Sequence, residues 1–110
     1  MALLRGLEVV VERRGEPDHS HAEYLPPMLA AMLAEAGLPP SAIDLFAVAT
    51  GPGSFTGLRV GLATVQGLAL ALDRPTVGVP SLAAAAWRYF QESPAAAHCA
   101  VWRDGARGDV

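Results

Sequence analysis

Lysine and asparagine are absent from this chain, and isoleucine occurs once, at Ile43. All 8 basic residues are therefore arginine, which excludes Schiff-base chemistry on this chain and removes the lysine that a Walker-type phosphate loop requires. Cysteine is nearly missing too. Cys99 has no second cysteine to pair with inside the chain, fits a reducing compartment, and reads as a small core residue. The arginines stand against 11 acidic residues and leave a net charge of -3, so no broad positive field draws nucleic acid to the surface. Arg5 and Glu8 interrupt the first apolar stretch, and the run from Val60 to Leu72 is bounded by Arg59 and Asp73. Neither suits a signal peptide or a membrane span, and the expected location is the cytoplasm, without membrane contact.

Apolar residues are plentiful: 52% of 110 residues are hydrophobic. A domain of that length has a limited interior, so part of this surface is expected to meet a partner.

Along the chain, Met1 to Leu4 and Leu7 to Val11 flank an Arg5-Gly6 turn and read as a hairpin. Ser20 and Glu23 have the spacing of a capping box. Pro26-Pro27 is expected to break or kink the helix that follows, so its main body should run from Pro27 to Ala36 and stop at Gly37 before Pro39-Pro40. Ile43 to Thr50 reads as a buried strand, Thr56 to Leu72 as a helix, and Thr76 to Val79 as a strand. Ser81 is expected to cap a helix reaching Gln91, and His98 to Trp102 to form a strand entering a hairpin. Alternating strands and helices predict an α/β layout with parallel crossovers.

Between the buried strand and the long helix lies Gly51-Pro52-Gly53-Ser54. A Walker loop fails here on spacing as well as on lysine, since Gly57 is followed by Leu58 and Arg59. The dinucleotide fingerprint also fails, because Thr56 stands where its third glycine belongs, and Pro52 offers no N–H. A strand, a tight turn and a helix N-terminus still form a candidate anion site, with Gly53, Ser54 and Thr56 as its residues. The competing reading is a structural turn in which Ser54 caps the helix.

Two helices are apolar beyond one face. In the second, Leu58, Leu62, Val65, Ala69 and Leu72 follow one stripe, expected to lie on the sheet, while Gly57, Gly61, Thr64, Gly67 and Ala71 make a face of small residues. Each glycine in an exposed helix costs about 1 kcal/mol relative to alanine, so close approach by another helix is the expected compensation. In the first, Leu25, Met28, Leu29, Met32 and Leu33 form a stripe and Ala30, Ala31 and Ala34 leave the other side nearly uncharged. These features point to a helical interface, with Met28 and Met32 as adaptable contacts, made with a second protein or a second copy. Burial of both helices within the chain is the alternative.

The stretches "GPGSFTGLRVGLATVQGLALAL", "HSHAEYLPPMLAAMLAEAGL", "AVAT" and "PTVGVPSLAAAA" closely resemble the bacterial TsaB family, whose fold is similar to that of its relative TsaD within the actin-like ATPase superfamily. The resemblance implies a partial actin-like (ribonuclease H-like) lobe, a mixed sheet with helices. Family members open with a strand like I-L-A-I-D-T-S, the central strand of that lobe, which has no counterpart here. The expectation is an incomplete N-terminal lobe over residues 1–97 and the start of a second lobe over 98–110, in a fragment or truncated chain of poor stability by itself.

The resemblance further implies a non-catalytic scaffold that binds a TsaD-like subunit and works with a TsaE-like ATPase in threonylcarbamoyladenosine formation on tRNA, touching tRNA only indirectly. ATP and metal are then expected on the partner subunits and none on this chain. TsaD reads approximately V-N-H-L-E-x-H where this chain has Val79 to Ala85, so Ser81 and Ala85 occupy the positions of the metal-binding histidines. His19 and His21, near Asp18 and Glu23, make at most a two-ligand surface pair, and Ser54 and Ser81 have no partners in sequence for a hydrolytic triad. Two further readings are an actin-like nucleotide-dependent enzyme that cradles phosphate in the 51–57 loop and a homodimeric interaction module unrelated to tRNA.

Overall fold

A computed structural model of the chain describes the backbone of residues 1–14 and 21–102, and their side chains except those of 21–24. The elements run β1 (Ala2–Arg5), β2 (Glu8–Glu12), α1 (His21–Ala36), a 3-10 turn (Pro40–Ala42), β3 (Phe46–Gly51), α2 (Phe55–Leu72), β4 (Thr76–Pro80) and α3 (Ser81–Glu92). This is the α/β order expected from the sequence.

Among the described residues the strands form two separate pairs. β1 and β2 pair antiparallel, with Ala2 opposite Glu12 and Arg5 opposite Glu8, while β3 and β4 pair parallel, with Phe46 opposite Thr76 and Ala49 opposite Val79. Among the described residues no hydrogen-bonded ladder joins the two pairs. Two-stranded sheets are marginal unless a helix covers them, and here α1 lies on β2, α2 lies on β3, and the two helices pack on each other. The helices therefore tie together what the strands leave separate.

The core sits under this helical layer. Among the described residues Val11, Met32, Leu33, Phe46 and Ala69 are its buried apolar residues, and Met32 is the most completely buried of them, at 1% exposure. Met32 thus packs inside the chain. Its expected place on a partner-facing surface is corrected: the stripe that carries it faces β2 and α2. Arg13 of the hairpin reaches Glu35 of α1 in an exposed ion pair, an interaction of small net worth at the surface.

Several element ends depart from expectation. α1 is one helix through Pro26 and Pro27 instead of starting at Pro27. Pro26 and Pro27 are the sixth and seventh residues of the helix, past its first turn, so each removes one ladder hydrogen bond; the buried anchors Met32 and Leu33 follow them. The capping box falls outside the description, because Ser20 is among the residues not described. Ser81 is the first residue of α3, not its cap; the cap position belongs to Pro80 and carries no side-chain hydrogen bond. Residues 98–102 adopt neither helix nor strand, so the expected strand is absent there, and the rest of the expected hairpin and second-lobe start, 103–110, lies outside the described residues.

The end of α2 follows its sequence signal closely. Asp73 takes a left-handed conformation (φ 52), its N–H donates to the Leu70 carbonyl (3.3 Å), and the Arg74 N–H donates to the Ala69 carbonyl (2.8 Å). Backbone donors just past a helix satisfy its last carbonyls in this way. The Arg74 guanidinium then donates to the Ser41 carbonyl (3.0 Å), fastening the 3-10 turn to the α2–β4 connection.

Candidate functional site: the loop after β3 and the outer face of α2

The loop begins with a residue that only glycine suits. Gly51 has φ 105, and a Cβ there would stand 3.1 Å from Cδ1 of Leu58, so both backbone strain and space oppose a side chain. The Gly51-Pro52 bond is cis. Ser54 then caps α2: its Oγ accepts from the Gly57 N–H (3.2 Å) and its carbonyl accepts from the Leu58 N–H (2.8 Å). Gly51, Pro52, Gly53 and Ser54 thus make the turn that starts the helix.

The same turn gathers the three anion-site candidates. Gly53 is half-buried, while Ser54 and Thr56 are exposed at the positive end of the helix dipole. The Ser54 Oγ accepts from Gly57, which takes up that backbone donor, while the hydroxyl's own proton stays free to donate. Arg59 is turned away from a simple cradle role, since its guanidinium carbon lies 5.1 Å from the centroid of the Phe55 ring, within cation–π range. Among the described residues no group of three His, Cys, Asp or Glu is placed to hold a metal. Asp18 and His19 lie outside the described residues, and the side chains of His21 and Glu23 are not described. Ser81 is half-buried and Ala85 exposed, one turn apart on α3.

The small-residue face of α2 is split by the fold. Gly57, Gly61 and Thr64 are half-buried, and Gly67 and Ala71 are exposed. A Cβ on Gly61 would point at Cγ2 of Val48, 4.0 Å away on β3, so Gly61 serves contact with the chain's own strand and its expected place on an outer surface is corrected. Gly67 has open space around it. On α1, Met28 is half-buried.

What faces outward is larger than expected. Leu70 is 84% exposed and Phe55 66%, and Leu62, assigned by periodicity to the sheet-facing stripe, is also exposed. A signal for Leu70 existed: residues 59, 63, 66 and 70 share one helical face, and Arg59 and Gln66 mark that face as outward. As a whole helix, α2 has 18 residues with mean hydropathy 1.4. By length and composition it reaches what a membrane span needs, contrary to the reading of the shorter Val60–Leu72 run, because it begins at Phe55. It packs here against β3 and α1.

A family model described as TsaD, tRNA N6-adenosine threonylcarbamoyltransferase, matches residues 16–110. The tRNA threonylcarbamoyladenosine biosynthesis protein TsaB of Haemophilus influenzae is 39% identical over 85 residues, covering 71% of this chain and 36% of that protein. The tRNA N6-adenosine threonylcarbamoyltransferase of Novosphingobium aromaticivorans is 46% identical over 63 residues, covering 57% of this chain and 18% of that protein. Among solved structures, YeaZ from Pseudomonas aeruginosa aligns with a TM-score of 0.73 and 42% identity over 86% of this chain and 45% of that one. The chain thus spans less than half the length of the relatives it matches. The α/β arrangement described above is shared with the aligned part of YeaZ.

Proposed function

The chain belongs to the TsaD family and is homologous to its TsaB proteins, and from that premise we propose that it is a scaffold subunit in tRNA threonylcarbamoyladenosine biosynthesis. In this reading it is non-catalytic and works in the cytoplasm. It binds a TsaD-like catalytic subunit through its N-terminal helices, with a TsaE-like ATPase in the same assembly. It carries no nucleotide or metal of its own, and those groups belong to the partners. It meets tRNA only through them.

One observation carries the proposal: α2 presents Phe55, Leu62 and Leu70 to solvent beside the open Gly67. Large apolar side chains next to a position without a side chain suit a helix that is covered by another helix. Ala71 continues this surface, and Gly57 and Thr64 lie half-buried at its margin; Met28, on α1, is also half-buried. Ser81 and Ala85 support the division of labour, since neither supplies the imidazole that a metal site of this family would draw from those positions.

Co-purification of the full protein with a TsaD-like protein tests the reading. Gly67→Arg and Leu70→Asp are expected to abolish complex formation while leaving the circular dichroism spectrum of the free protein unchanged, because both positions point away from the core. Intact complexes in both variants would falsify the α2 assignment. Calorimetric titration with ATP checks the absence of nucleotide binding: micromolar affinity that disappears in Thr56→Ala overturns the scaffold-only reading.

A further inference from the structure

We draw no further inference here: the strongest candidate, the outer edge of β3 with the apolar groove that Ala47, Val48, Ala49, Val79, Ser81 and Ala84 line beside it, carries nothing because nothing in the structure shows what covers it.

Discussion

α1 and α2 are both apolar helices, and the chain treats them in opposite ways. α1 commits its large side chains inward, with Met32 and Leu33 at 1% and 3% exposure. α2 has one buried residue, Ala69, and turns Leu70 and Phe55 outward. The difference arises from side-chain size on the inner face. On the inner face Gly61 looks toward Val48 of β3 and Ala69 is buried, while the bulky Phe55 and Leu70 lie on the exposed side. Apolar content alone therefore does not say which helix is core and which is surface; the placement of the small residues does.

The comparison is broken most severely at Met32. Met32→Ala is expected to lower unfolding free energy by about 2–5 kcal/mol, the range for truncating a fully buried side chain, as read from urea denaturation of the full protein. A loss below about 1 kcal/mol would show that α1 is not the anchor of the helical layer.

Gly51→Ala comes next, with an expected cost of about 1–3 kcal/mol for a non-glycine residue held at a positive φ, increased by the approach to Leu58. Its thermal melting point should fall more than that of Pro52→Ala if the demand at the turn is for glycine. Ser54→Ala removes the oxygen that accepts from Gly57 and should cost about 1 kcal/mol. Ser54→Asp restores the acceptor and should recover most of that loss, which distinguishes a cap from a ligand-binding hydroxyl.

At the small end, Gly67→Ala should stabilise the protein by up to about 1 kcal/mol, since the new methyl meets open space and helix propensity improves. Leu70→Ala should change stability by less than about 0.5 kcal/mol while weakening capture of a TsaD-like partner. A Leu70→Ala penalty comparable to that of Met32→Ala would erase the contrast between the two helices.

Much of the local structure was legible in the residues. The hairpin around Arg5-Gly6, the stop at Gly37, the loop from Gly51 to Ser54 and the end of α2 at Asp73 each follow from a turn or cap with a defined stereochemical need. The prolines of α1 misled because each removes a ladder hydrogen bond inside the helix, a local cost that the tertiary anchoring at Met32 and Leu33 outweighs. Leu62 misled because periodicity gives a direction around the helix without giving the width of the surface beneath it. For the candidate site, the sequence marked Gly67 and Ala71 as outward and also marked Gly61, which the fold turns to Val48. For Leu70 the signal lay in the helical face it shares with Arg59 and Gln66; nothing comparable marked Phe55.

By itself, the sequence determined the order of elements from β1 to α3, the helix stops at Gly37 and Asp73, the turn at Gly51, and the resemblance that fixes the family, because each depends on short-range stereochemistry or on residue identity. Only the tertiary structure decided that Met32 is core, that Gly61 looks inward, and that the strands form two pairs held by helices. Those outcomes depend on which surfaces meet, and a helix that is apolar on several faces has more than one surface to offer.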